Sequence, residues 1–171
     1  QKSVELDLNL IGLFDQQLSK GEGHIHKHAT ACDYQSVMLL KSVPGIGHIL
    51  SLVILYEIHD IKRFPRVQDF ISYCRLVKCR KESAGKSYGT TGAKIGNAYL
   101  KWAFSEAAVL FLRKNSEGQA WVEKMANKHN KAKALSILAQ KLARAVYFML
   151  VRKTPFNKAQ FFNLQGNGQA G

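Results

Sequence analysis

A chain of 171 residues with 46% hydrophobic content holds enough apolar material for one globular domain, which excludes an intrinsically disordered chain. Only 12 Asp+Glu stand against 25 Lys+Arg, a formal net charge of +13, so the expected partner is a polyanion, nucleic acid ahead of an anionic membrane surface. Three cysteines (Cys32, Cys74, Cys79) form no disulfide framework and point to a reducing, cytoplasmic setting. The two most apolar runs, about 10 residues (49–58) and about 14 (99–112), fall short of the roughly 20 that cross a bilayer, so no membrane partner is expected.

In chain order, Val4, Leu6, Leu8, Leu10, Ile11, Leu13, Phe14 and Leu18 settle into helical spacing and predict a helix over 3–20. Gly-Glu-Gly at 21–23 is expected to weaken or break it, and a second helix is expected over 24–42. These helices form an N-terminal arm, residues 1–36, able to pack on the domain or to pair with another chain. His24, His26 and His28 have the density of a metal site, and on a helix His24, His28 and Cys32 would share one face. No fourth ligand is evident in the spacing, and a polar helix face is the better reading.

"LLKSVPGIGHILSLVI" reads as helix, turn, helix. Pro44 stops the first helix, Gly45 and Gly47 admit backbone angles closed to other residues, and Ile46 can point inward to join the two helices. The second helix, over 48–58, starts with unpaired N–H groups that suit a phosphate oxygen. This is the pattern of a helix-hairpin-helix, which holds nucleic-acid backbone without reading bases. The alternative is an αα-corner whose glycines serve tight packing alone. Lys62 and Arg63, in the loop that follows, would extend the grip.

A short helix is expected over 67–74. Residues 78–93, rich in Gly, Ser and cations, read as a loop. Its "SAGKS" imitates the end of a P-loop, but the first glycine of that motif would fall at Arg80 and no strand precedes it, which excludes nucleotide binding. Two readings stay open: a solvated basic loop, or a serine placed for attack. Ser83 lies among Arg80, Lys81 and Lys86, cations suited to a scissile phosphate, yet a serine needs activation and the adjacent Glu82 need not face it. Helices follow over 93–114, 119–129 and 132–152, the first apolar almost all round and therefore the central buried one. Trp102 and Trp121 are expected as core anchors. Lys141, Arg144 and Arg152 fall near one side of the last helix, as a second phosphate track or an ordinary solvated face. Residues 155–171 are expected to be a mobile tail. The class is all-α: a compact helical domain over 37–154 behind a helical arm.

Four segments in order, "LLKSVPGIGHILSLVILYEIHDIKRFPRVQDFISYCRLV", "KESAGKS", "GAKIGNAYLKWAFSEAA" and "KHNKAKALSILAQKLARAVYFMLV", resemble the C-terminal half of the RuvC-like, DEDD-type insertion-sequence transposases. That family is related to Piv-type DNA invertases and includes bridge-RNA-guided recombinases. The resemblance covers about 37–151. It implies a DNA-binding catalytic subdomain of a transposase or recombinase, acting on DNA in the prokaryotic nucleoid as a dimer or tetramer, with a guide RNA as a further partner. The family's Ser-Gly-Gly stands here as Ser83-Ala84-Gly85, which makes Ser83 the implied nucleophile and Ser87 the fallback. Lys94, Gly96, Asn97 and Lys101 match its K-x-G-N…R segment, with lysine replacing the last arginine, and are implied to position DNA or to shape the serine loop. Mg²⁺ is implied on a RuvC-like domain absent from this chain. No cofactor is expected here, since the 12 carboxylates form no two-metal cluster. The chain, which begins at Gln1, is therefore expected to be an inactive fragment of the enzyme. The competing function is a non-catalytic module that holds DNA or guide RNA.

Overall fold

The computed structural model describes residues 2–77, 79–83, 86–91 and 95–163, with side chains described outside positions 26, 28–32, 78–94 and 163. In order, the elements are α1 (Lys2–Lys41), α2 (His48–Ile58), a 3₁₀ turn (Ile61–Arg63), α3 (Val67–Tyr73), β1 (Cys79–Ser83), β2 (Lys86–Thr91), α4 (Ala98–Phe111), α5 (Ser116–Lys128), α6 (Lys131–Arg152) and α7 (Lys158–Asn163). The fold is all-α as expected, with one two-stranded ribbon added.

The first departure from expectation lies in α1, which runs unbroken through Gly21–Gly23. Two glycines cost about 1 kcal/mol each in a helix interior, which weakens the helix without ending it. The interruption falls instead at Asp33, whose φ of −152° and ψ of 66° are not helical. Its Oδ1 accepts from the Ser36 N–H at 3.0 Å, a fresh N-cap. Burial opposes the charged form of Asp33, but hydrogen bonds from Ser36 and the ammonium of Lys153 outweigh it and hold the carboxyl below its ordinary value. Before the kink, the large apolar residues from Val4 to Leu18 are each at least half exposed. The arm therefore contributes almost nothing to the core.

The core begins at Val37. Fully buried Leu40, Ile54, Phe70, Leu100, Phe104, Leu138 and Leu142 tie α1 through α4 to α6. Around Phe70 stand the rings of Phe64, Phe104 and Tyr147, and the Tyr147 hydroxyl donates to the Phe64 carbonyl at 2.9 Å. Asn97, Asn115 and Asn130 cap α4, α5 and α6 by accepting from the N–H three residues on. Cys74 is fully buried, which pushes its thiol pKa up and leaves it inert.

Three further expectations are corrected. Helix α4 buries Leu100, Ala103, Phe104, Ala107, Ala108 and Phe111, but Tyr99 and Val109 are exposed and Trp102 is 50% exposed, so Trp102 is no core anchor. Apolar composition all round does not ensure burial all round, because α2 and α6 cover one side of α4 only. Helix α6, 22 residues long, is apolar enough to span a membrane by length and composition, a candidate the sequence reading passed over. Half of it is buried inside the fold, as the core helix that α3, α4 and α5 pack against. The expected mobile tail docks in part. After Lys153 closes α6 in the left-handed region, Phe161 is 2% exposed and its ring packs on Phe111 and Phe156. Residues 164–171 lie outside the described residues.

Candidate functional site

The hairpin between α1 and α2 is built by two glycines with different duties. Gly45 has φ +88°, and a Cβ there would lie 2.5 Å from the Phe111 nitrogen and 2.9 Å from the Ala107 oxygen. It is thus the point where the turn rests on the backbone of α4. Ile46, 3% exposed, points inward as the sequence predicts. Gly47 is the N-cap of α2, with extended angles, no side-chain cap and nothing within 4 Å of where a Cβ would sit. The first N–H groups of α2 therefore open beside a bare glycine, the arrangement that accepts an anionic oxygen.

Beside that turn is a groove of about 470 Å³, lined by Pro44, Gly45, Gly47, Lys41, Arg113 and Lys114 among others. The three cations are exposed, and none has an acidic partner among the described residues. Sequence reasoning missed them. Arg113 and Lys114 lie some 70 positions downstream and reach the hairpin only because the end of α4 packs under Gly45. The run "LRKN" that ends α4 is the only local signal, and it marks a helix end equally well.

Lys62 and Arg63 do not join this groove. They follow the far end of α2, an 11-residue helix, and so sit roughly 16 Å from Gly47 at 1.5 Å per residue. Lys62 is exposed. Arg63 lies 5.0 Å over the Phe64 ring and 4.9 Å over the Tyr73 ring, and donates to the Ile58 carbonyl. Its guanidinium already has structural contacts.

The segment expected to be a loop forms an antiparallel ribbon, with register Cys79–Thr91, Arg80–Thr90, Glu82–Ser87 and Ser83–Lys86 and an irregularity between Arg80 and Glu82, at Lys81. Ser83 occupies the last position of β1, its Cα opposite that of Lys86. Ser87 stands opposite Glu82. The side chains of Arg80, Lys81, Ser83, Lys86 and Ser87, and all of Lys94, lie outside the described residues. Sequence reading missed the ribbon because its strands are polar and carry no apolar alternation.

The chain before the ribbon is tied to the chain after it. The Asn97 N–H donates to the Tyr73 carbonyl at 2.7 Å, and Arg75 Nε donates to the Gly96 carbonyl at 2.9 Å. Gly96 adopts φ +109°, and a Cβ would lie 2.6 Å from the Tyr73 oxygen, so no other residue fits there. Asn97 Oδ1 accepts from Leu100 N–H at 2.9 Å, while its Nδ2 donates to Glu57 Oε2 at 2.5 Å. The Asn97 side chain is thus engaged in structural contacts, and α2, the end of α3 and the start of α4 meet at this clasp. Lys101, one turn along α4, is exposed. Asn97→Ala removes a cap and a charge-assisted bond and is expected to cost about 2–3 kcal/mol. Glu57→Gln, which keeps an acceptor for the amide, should cost under about 1 kcal/mol, both by urea unfolding.

Comparison with known proteins is consistent with this layout. The family described as "Transposase IS116/IS110/IS902 family" matches residues 37–123, just over half of the chain, and takes in the hairpin, the ribbon, the clasp and α4. Similar relatives include the transposase for insertion sequence element IS1328 of Yersinia enterocolitica, 24% identical over 151 residues, which are 86% of this chain and 45% of the relative. Another is the transposase for insertion sequence element IS1111A of Coxiella burnetii, 24% identical over 121 residues, 68% of this chain and 33% of the relative. The chain spans less than half the length of either relative. With its hairpin, ribbon and clasp all inside the matched region, the chain belongs to the IS116/IS110/IS902 transposase family.

Proposed function

We propose that this chain is the DNA-gripping, serine-bearing part of a transposase or site-specific recombinase. In this reading the hairpin groove holds the sugar–phosphate backbone, and Ser83 attacks a phosphodiester. A bond forms between Ser83 Oγ and phosphorus while the P–O bond to one deoxyribose breaks. The serine proton passes to a base outside this chain, and the departing oxygen takes a proton to become a hydroxyl. One phosphoester replaces another, so a second strand's hydroxyl can reverse the step onto a new end without an external energy source. The observation that carries this reading is the clasp, which ties the chain before a short ribbon to the chain after it, together with the ribbon's pairing of the Ser83 and Lys86 backbones.

Mg²⁺ belongs, in this proposal, to a RuvC-like domain beyond these residues. Among the described residues no three His, Cys, Asp or Glu side chains gather into a group that could hold a metal. The hairpin groove would also accept the backbone of a guide RNA, since phosphate contacts carry no base code. A purely non-catalytic module remains the competing function. Trapping a covalent protein–DNA adduct with the full-length protein separates the two: an adduct on a peptide of the 79–83 strand is expected, and strand exchange without any adduct would leave only the binding module.

The arm fits a second copy of the chain. Val4, Ile11, Leu18 and Ile25 recur every seven residues, all exposed. Over residues 2–25, two lysines against four carboxylates make the net charge −2, opposite in sign to the whole chain, which argues for a protein partner and not DNA. Ile11→Asp with Leu18→Asp should convert a dimer to monomer in sedimentation velocity; an unchanged sedimentation coefficient would remove the arm from the interface.

A further inference from the structure

The side of α6 that the sequence marks with three cations is divided by the fold. Lys141 is turned inward. Its ammonium lies 5.1 Å from the Trp121 ring and 4.9 Å from Phe161, and burial lowers its pKa. Arg144 and Arg152 face solvent two helical turns apart, about 12 Å along the axis. Between them on the same face stands Phe148, over whose ring the Arg152 guanidinium lies at 4.9 Å. Neither arginine has an acidic partner among the described residues.

These arginines form one wall of a groove of about 340 Å³. The other wall is the docked segment after α6, which contributes Thr154, Asn157 and Gln160. Phe161, buried under α7, anchors that wall. The groove is joined to the hairpin in two ways. The Phe156 N–H donates to Ser42 Oγ at 2.9 Å, next to Lys41. Phe111, which lines the hairpin groove, packs edge-on against Phe156, which lines this one.

We infer that the groove between α6 and the segment following it is a second DNA-backbone site, its wall packed against that of the hairpin groove, in which Arg144 and Arg152 each neutralise a phosphate while the amides of Asn157 and Gln160 donate to phosphate oxygens. This rests on the reading that the chain holds DNA backbone, and it adds where the duplex runs after leaving the hairpin. Two arginines with free guanidinium donors suit phosphate better than lysines would. Backbone contact of this kind carries affinity without sequence preference.

Fluorescence anisotropy with a labelled DNA duplex, titrated across a salt series, tests the inference. Each phosphate contact contributes about 0.9 to the slope of log K against log salt, so Arg144→Ala with Arg152→Ala should lower the slope by about 1.8. Lys124→Ala with Lys128→Ala on α5 removes the same charge outside both grooves and should leave the slope within error. Phe161→Leu, which keeps the wall anchored, should bind like the native chain, and circular dichroism confirms that each variant is folded. A native slope in the double arginine variant, beside a reduced one for Arg113→Ala with Lys114→Ala, would overturn this site and leave the hairpin reading standing. Loss of slope with duplex RNA but not duplex DNA would overturn the assignment to DNA. A native chain that binds duplex with no dependence on salt would overturn both readings together.

Discussion

Ser83→Ala, made in the full-length protein that contains this chain, is expected to abolish the covalent adduct and to lower strand exchange by more than about 10³-fold, as loss of a nucleophile does. Duplex binding and its salt slope should be unchanged, because the substitution removes a hydroxyl and no charge. Ser87→Ala is the internal control. Its Cα pairs with Glu82 inside the ribbon, whereas Ser83 is the last residue of β1, opposite Lys86. The adduct should persist in Ser87→Ala. An adduct that survives Ser83→Ala and disappears in Ser87→Ala would move the nucleophile four residues along, and strand exchange intact in both variants would end the serine mechanism.

The second large effect separates the two glycines of the hairpin. Gly45→Ala forces a side chain into φ +88° and drives its Cβ against the backbone of Ala107 and Phe111. The positive φ costs about 1–2 kcal/mol and overpacking about 1–3 more. A loss of about 2–5 kcal/mol is therefore expected in urea unfolding, a large share of the 5–15 kcal/mol that stabilises an ordinary domain. Gly47→Val meets open space and an extended backbone, and as a non-capping residue replacing glycine it should cost under about 1 kcal/mol. Its isopropyl group would nevertheless cover the first N–H groups of α2, and duplex affinity should fall by about tenfold, the equivalent of one charge-assisted hydrogen bond. Native affinity in Gly47→Val would reduce the hairpin to an αα-corner, a packing device with no ligand. The fold already gives that packing role to Gly45 alone, which is why the two substitutions are informative only as a pair.

Much of the helical framework was legible in the chain because its signals are local. The capping asparagines of α4 and α5 went unread, so those helices, expected from 93 and 119, start at 98 and 116. Pro44 after an apolar stripe and the apolar runs of the other helices, by contrast, act within a turn or two. Those interactions need no partner from elsewhere, so helices 48–58, 67–74 and 132–152 were placed within a residue or so. The errors have a common cause. Gly21–Gly23 carries a penalty too small to end a helix, and Trp102 sits on the face of an apolar helix that its neighbours leave exposed. The ribbon at 79–91 is polar, so hydrophobic periodicity was silent about it.

The clasp shows the same limit at the candidate site. Gly96-Asn97 was recognisable as a motif, but Glu57 as the acceptor for Asn97 lies 40 residues away, and no spacing rule links them. Helix positions, the overall excess of positive charge and the serine-bearing segment could be read from residue order, since each depends on neighbours or on a simple sum. Packing α4 beneath Gly45 was needed to bring Arg113 and Lys114 to the hairpin, and docking Phe161 was needed to raise a wall beside Arg144 and Arg152. Grooves are made by surfaces distant in the chain, and their geometry exists only once the core that joins those surfaces has formed.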